Sequence, residues 1–484
     1  MDMTCHRQLV LRSGYGPTLA YCIAALLCLC GCQAYRPVAL DETAVEQSLS
    51  LPPAETLRVR AETLKHPIVP PVTLNLRNGV SPDEAAVLSV LLNPSLRSVR
   101  DKRGIAAAQL VQVGLLPNPQ LSYSSDFPTG GTTTGTVNAF GLGLSWDATE
   151  LISRSARIEA ASKHKVSVDL DVGWQEWQNA QSAKLAVYDL VSLQGQVNFA
   201  SHSDQRLAEN YATVRRAVQE GLMTELNLSA AETASRAAHS TVLSLRKQTA
   251  EQRLKLNQLL GLPADANITL EPGITLPSEM KVLAFARLVD GLQERRLDLV
   301  ALRRGYESQE ETVRAAILNQ FPRVNIGWNK ARDTGNVVTT GFALAIDLPI
   351  YNRNQGQIAI ERATRQQLFD EYTDRVFRAR ADIGRLLARV PLINEEIRTA
   401  EQTERSGRQL VQTYRRALDE GQADVLSYYT AWNDLTQTQI RILQLKQQLV
   451  DTRIALELAS GFYTLPDVAV ANEVRNRQDT GGQR

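Results

Sequence analysis

Apolar residues recur along this chain at two periods, and the switch between them marks its elements. From about Ser81 they step by three and four, the period of a helix face. Ser81-Pro82-Asp83-Glu84 is a start signal: a capping hydroxyl, proline at the first helical position, then acids in the first turn. That helix is predicted to continue to Leu116, where Pro117-Asn118-Pro119 ends it. The period then drops to two over 120–127 and again over 137–146, where Phe140, Leu142, Leu144 and Trp146 fall on one side. A Gly/Thr-rich loop from Pro128 to Gly135 separates the two segments, which predicts an antiparallel hairpin. From about Glu150 to Glu220 no proline occurs. A narrow stripe of Val166, Leu170, Trp174, Trp177, Leu185 and Tyr188 predicts one very long helix. Gly221 interrupts it, and a further helix over 224–260 ends at Gly261-Leu262-Pro263.

The second half repeats the first. YATVRRAVQEG at 211–221 and VQTYRRALDEG at 411–421 share Thr, Arg-Arg-Ala, Glu and Gly at an offset of 200, and Gly261 and Gly461 keep it. Phe140, Leu142 and Leu144 match Phe342, Leu344 and Ile346 at 202; Leu96 and Arg100 match Leu299 and Arg303 at 203. Several landmarks in one order at nearly one offset imply a tandem duplication. The second copy is predicted to hold strands near 322–331 and 338–348. A long helix over 353–420, weakened or kinked at Pro391, and a closing helix over 424–460 complete it.

Ahead of the first copy, residues 33–80 are proline-rich without a sustained helical period and read as an extended arm. The resulting division is 1–31 signal peptide, 32–80 arm, 81–261 first repeat, 262–290 linker, 291–461 second repeat and 462–484 tail. All five cysteines lie at or before Cys32. A basic start and a short apolar run read as a secretory signal. Leu29-Cys30-Gly31-Cys32 resembles a bacterial lipobox, with Cys32 as the lipidated residue; the bland alternative is a signal peptide with an incidental cysteine. Gln33, in place of the aspartate that marks inner-membrane retention, points to the outer membrane as the site of anchorage.

Charge and chemistry narrow the function. Lys and Arg total 53 against 52 for Asp and Glu, which offers no electrostatic reason for nucleic acid. The five histidines are scattered, the later chain has no cysteine, and neither a metal site nor a cofactor is expected. No nucleophile–base spacing, phosphate loop or carboxylate pair indicates an enzyme. At 1.5 Å per residue the long helix measures about 105 Å, far beyond the needs of an enzyme core. Narrow stripes diluted with Ala, Gln and Ser suit coiled-coil contact. An ordinary coiled coil explains the helices but not the strands, which are long enough to cross a bilayer at a tilt. Four strands cannot close alone, and an open edge in lipid leaves backbone groups unpaired. They therefore either form a small sheet in water or close with strands from other subunits.

Asn93-Pro94-Ser95-Leu96-Arg97, the run Ala106 to Pro119, the strand pair, Arg157 to Ala161, the duplicated Glu-Gly turns and Leu259-Leu260-Gly261 together resemble the TolC-type outer-membrane efflux proteins. The resemblance covers about 81–462. It implies a mainly α fold with a small β part: a homotrimer whose pooled strands complete a 12-stranded barrel in the outer membrane. The helices would form a long coiled-coil barrel across the periplasm. It also implies partners, a periplasmic adaptor and an inner-membrane pump, and a role as the export duct of a tripartite system. The lipobox is similar to that of the branch serving resistance-nodulation-division pumps for drugs or heavy-metal ions. A type I protein-secretion duct is the alternative within the class, and a lipid-anchored coiled-coil scaffold outside it. Both glycine turns lie about 70 residues from the strands and so reach one end. The resemblance makes Gly221, Leu222, Met223 and Thr224, with Gly421, Gln422, Ala423 and Asp424, the gate and adaptor-docking tips. Asp424 is expected to join an acidic ring there.

Overall fold

A computed structural model describes residues 35–462 other than 76, 133, 282, 421 and 423. The signal segment, Cys32, Gly421, Ala423 and the tail from 463 lie outside the described residues. Residues to Leu51 form a unit of their own, containing helix α1 (Glu42–Leu49). Asp41 caps that helix by accepting from Ala44 N at 2.7 Å, and none of its residues is buried.

In the second unit the reading of 32–80 as an extended arm needs correction. Helix α2 (Ala54–Glu62) forms there, and Leu57, Ala61, Val69, Leu74 and Val80 are buried in the largest apolar cluster. Pro53 sits just ahead of α2, where a missing N–H costs nothing. The predicted helix 81–116 is two helices, α3 (Pro82–Leu92) and α4 (Pro94–Gly114). Pro94 forces the break, since proline disfavours helical backbone at the residue before it and has no N–H to donate. Asn93 serves both sides: its Oδ1 accepts from Ser95 N at 2.9 Å, and its Nδ2 donates to the Leu259 carbonyl at 2.9 Å. Ser81 and Glu84 form a reciprocal capping box at the start of α3. The sequence Ala85 to Val90 is apolar except for Ser89 and buried all round, which makes α3 a core helix rather than a surface one.

Strands β1 (Gln120–Asp126) and β2 (Ala139–Asp147) lead into α5 (Glu150–Gln219), and α6 (Glu225–Leu260) returns. Short helices α7 (Phe285–Val289) and α8 (Leu292–Arg295) precede α9 (Leu297–Leu318). This second-copy helix has 22 residues, one more than α4 in the first copy. Strands β3 (Arg323–Arg332) and β4 (Val338–Asp347) follow, then α10 (Gln355–Asp419) and α11 (Val425–Ser460). Helix α10 runs through Pro391 as one element. The proline removes one hydrogen bond, but Val390, Ile393 and Ile397 on either side are buried in one cluster with Leu445 and Leu449, and the helix continues.

Helix α5 is the spine, packing against α3, α4, α6, α9 and α11. Only part of its predicted stripe is buried: Trp174 and Trp177 pack edge-on with ring centroids 5.2 Å apart, whereas Val166 is exposed. Its seam continues through Ala180, Ala183, Ala186, Val187 and Leu190. Small residues allow close helix approach, and at Gly195 an added Cβ would lie 2.8 Å from Leu443 Cδ1. Glutamines fill in where apolar area is thin. Gln196 and Gln444 meet at 3.4 Å, and Gln447 donates to both Asp189 and Asp451.

The four strands form one antiparallel sheet in the order β1-β2-β3-β4. Pairing of β2 with β3 therefore joins the two copies, and β1 and β4 are left as its edges.

Candidate functional site

Two surfaces carry the chemistry of this chain: the helical hairpin tips and the sheet. At the first tip Gly221 adopts φ +73° in otherwise open space, so its lack of a side chain serves backbone geometry alone. Leu222 N then donates to Ala217 O at 2.8 Å and Gly221 N to Val218 O at 2.9 Å, closing the α5 terminus. Thr224 caps α6, its Oγ1 accepting from Asn227 N at 3.3 Å. The second tip repeats the pattern where it is described: Gln422 N donates to Ala417 O at 2.7 Å, as Leu222 does to the carbonyl 200 residues earlier.

Of the predicted tip residues that are described, Met223 alone packs across the two hairpins. Met223 packs into one apolar cluster with Val214, Val218, Leu418, Val425 and Tyr429, which brings both hairpins side by side. Leu222 is 74% exposed, Leu226 and Leu426 are exposed beside it, and Gln422 and Asp424 also face solvent. Asp424 precedes α11 without a side-chain capping bond, so its carboxylate is left to the surface. Sequence reasoning missed the aromatic group just above. Tyr428 lies 5.9 Å from Tyr429 and 6.2 Å from Trp432 between ring centroids. Tyr429 donates to Asn210 Oδ1 and Trp432 Nε1 to Ser203 Oγ at 3.0 Å, tying α11 to α5. Burial pushes the Tyr429 phenol up to about 12. The signal was present as Tyr428-Tyr429-Thr430-Ala431-Trp432, four residues past Asp424.

A second group that sequence spacing concealed is an ionic node far from the tips. Glu176 accepts from Arg100 Nε at 2.5 Å and lies 3.3 Å from Arg103 Nη2 and 3.5 Å from His66 Nε2. His66 Nδ1 accepts from Ile68 and Val69 N at 3.0 and 2.8 Å, so the proton sits on Nε2. Although burial opposes it, the His66 hydrogen bond and the two guanidinium groups hold the Glu176 carboxyl down to about 2. The His66 side chain is thus buried, only 2% exposed. Asp189 behaves in the opposite way: burial and the neighbouring Asp451 push it up to about 6.

The sheet is built on strict alternation. Residues opposed across antiparallel strands point to the same side. The register therefore sets Leu121, Leu144, Trp328 and Phe342 in one row and Trp146, Ile326 and Leu344 in the next. The other side carries Ser122, Gly143, Gly327 and Asn329 among similar small or polar residues. Among the described residues no other element covers this apolar side, and Phe342 is 91% exposed. Among the described residues no helix is long and apolar enough to cross a membrane, and no group of His, Cys, Asp and Glu is placed to hold a metal.

Long paired helices carrying such a sheet define the fold of the outer-membrane channels. Residues 288–462 match the family model of the outer membrane efflux proteins, and the likeness of the chain to TolC-type channels extends through the fold of the rest. The CmeC outer membrane channel of Campylobacter jejuni superposes with a TM-score of 0.67 at 16% identity over 92% of this chain and 98% of that one. The outer membrane protein VceC of Vibrio cholerae gives 0.66 at 18% over 79% and 96%. CusC, described as forming a transmembrane channel, gives 0.66 at 19% over 83% and 99%. Toxin and drug export protein A of Aggregatibacter actinomycetemcomitans is 21% identical over 382 residues, 75% of this chain and 82% of that one. These relatives are channel and export proteins, not enzymes.

Proposed function

We propose that this chain is the outer-membrane duct of a tripartite efflux system, a homotrimer anchored by lipid at Cys32. The observation that carries the reading is the sheet: one apolar face, one small polar face, and two strand edges with no partner among the described residues. Lipid would cover the first face and a water-filled lumen the second. Neither edge can stay open in a bilayer, so β1 of one subunit pairs with β4 of the next until three subunits close the barrel. The helices then extend into the periplasm, and the paired tips at Gly221 and Gly421 meet the adaptor. Leu222, Met223, Thr224, Gln422, Ala423 and Asp424 form that contact surface, with Asp424 contributing negative charge at the aperture. Resistance-nodulation-division pumps for drugs or heavy-metal ions are the preferred partners because of the lipobox resemblance. A relative named for both toxin and drug export keeps polypeptide secretion as the second reading.

The deciding experiment is extraction and mass. The mature protein should require detergent after its lipid is removed, should migrate as a trimer and should conduct ions across planar bilayers. A monomer released by delipidation alone, without conductance, contradicts the duct and favours a scaffold. Labelling with a radioactive fatty acid should vanish in Cys32→Ala while trimers still insert.

A further inference from the structure

Two cations interrupt the apolar side of the sheet, and both lie at one end. Lys330 is opposed by Leu142 and Thr340, and Arg332 by Phe140 and Val338, so both share the side of Trp328 and Ile326. They close strand β3 next to the turn at 333–337, whereas the helices join the sheet at its other end. A two-residue step covers about 7 Å, which puts Lys330 one step and Arg332 two steps beyond the Trp328 row. Lys330 is exposed. The Arg332 guanidinium is positioned: it sits 5.2 Å from the Phe140 ring centroid, and its Nε and Nη2 donate to the Asn138 carbonyl at 3.3 and 2.8 Å. Neither cation has a carboxylate within ion-pair distance among the described residues.

Cations among aromatic and aliphatic residues, without an internal counter-charge, match the depth at which a bilayer changes from acyl chain to phosphate. Resting on the barrel reading above, we infer that Lys330 and Arg332 form a binding surface for the phosphate groups of the glycolipid in the outer leaflet. The turn end of the sheet faces that leaflet, since the helices occupy the periplasmic side. Phe140 and Leu142 would meet the upper acyl chains, and the two side chains would reach the phosphates with charge-assisted hydrogen bonds. Three subunits give three such surfaces around the barrel.

The test uses the full-length trimer in mild detergent. Native mass spectrometry would follow titration with diphosphorylated lipid A, its dephosphorylated form and phosphatidylglycerol. Wild type should bind the phosphorylated glycolipid about tenfold or more tighter than the Lys330→Gln/Arg332→Gln double variant. The dephosphorylated form and phosphatidylglycerol should each bind wild type as weakly as the variant binds the glycolipid. Lys247→Gln, at an exposed position on α6, should change nothing. Equal affinity in the double variant, or equal binding of the dephosphorylated lipid, overturns the inference, and tight binding of phosphatidylglycerol overturns the choice of glycolipid. Should the double variant not assemble, the comparison of the three lipids on wild type still decides. Failure of the barrel reading shows separately and earlier, as wild type that neither needs detergent nor forms trimers.

Discussion

Helix α3 and strand β4 are both rich in apolar residues, yet the chain treats them in opposite ways. Around α3, side chains from Ala85 to Leu92 are enclosed by Trp174, Trp177, Leu256 and Leu260. On β4, Phe342, Leu344 and Ile346 are exposed among the described residues. Composition does not separate the two cases. Periodicity and neighbours do: α3 packs against α2, α5 and α6, whereas the described strands pack chiefly against one another. The first region is finished by folding, and on the function proposed above the second is finished by lipid and by further subunits.

That contrast can be broken most severely at the sheet. Phe342→Arg places a charge on the lipid-facing side and should cost about 2–4 kcal/mol per chain near the bilayer centre, enough to abolish insertion. Ala343→Arg, one residue along on the small polar side, should insert nearly as wild type. Refolding into lipid vesicles, followed by resistance of the barrel to protease, reads both. If the two variants insert equally, the sheet does not present one face to lipid.

Glycine substitution sharpens the comparison next. Gly261 has φ +70°, and an added Cβ would lie 2.6 Å from the Leu92 carbonyl oxygen at the end of α3. Gly221 has a similar φ but open surroundings. Gly221→Ala should therefore cost about 1–2 kcal/mol from backbone strain alone. Gly261→Ala should cost a further 1–3 or so from overpacking the enclosed region. Thermal unfolding should rank Gly261→Ala as clearly the worse.

The ionic node beside α3 gives a smaller effect with a defined pH signature. Glu176→Gln should cost about 2 kcal/mol, less than a fully buried pair because Arg100 and Arg103 are partly open to water. The carboxyl takes up its proton near pH 2 when folded and near 4.5 otherwise. Its stabilisation is complete above about 4.5 and disappears as pH falls towards 2. Asp189 has the reverse sign: with its carboxyl near 6, the folded chain loses stability as pH rises from about 4 to 6. Denaturation midpoints measured from pH 3 to 7 should show the low-pH slope vanish in Glu176→Gln and the upper one remain.

The smallest change in stability is expected at the tips. Leu222→Asp, on an exposed turn, should shift stability by no more than about 0.5 kcal/mol and leave trimers intact. Export with the cognate pump and adaptor should nevertheless be lost. Normal export by that variant would move the docking surface elsewhere.

Much of this arrangement was legible in the order of the residues. Period two from Phe140 to Trp146, the proline-free run after Glu150 and the glycines at 221 and 261 are local signals, and local physics suffices for them. Alternation sorts a strand's side chains into two faces, and glycine alone accepts positive φ without cost. The break at Asn93 was also local in origin, because Pro94 cannot continue a helix without strain, but the long apolar pattern on either side concealed it. The arm at 52–80 could not be read in this way. Its helix and its buried valines draw their stability from a cluster with Trp174 and Leu260, roughly 90 to 200 residues distant, and proline content alone suggested an extended chain.

The tertiary structure alone decided which distant groups meet. Glu176 joins His66, Arg100 and Arg103 because three segments cross there, and a carboxyl's environment depends on distance in space, not on spacing along the chain. Pairing of β2 with β3, which merges the two copies into one sheet, likewise required the fold. The sequence by itself determined most of the elements, their duplication and the two-sided character of each strand, since these depend on nearest neighbours. Only the packed chain decided that Val218 and Met223 share one apolar cluster with Leu418 and Val425, and that no other described element lies over the sheet's apolar side, because each is a sum over contacts between residues about 200 positions apart.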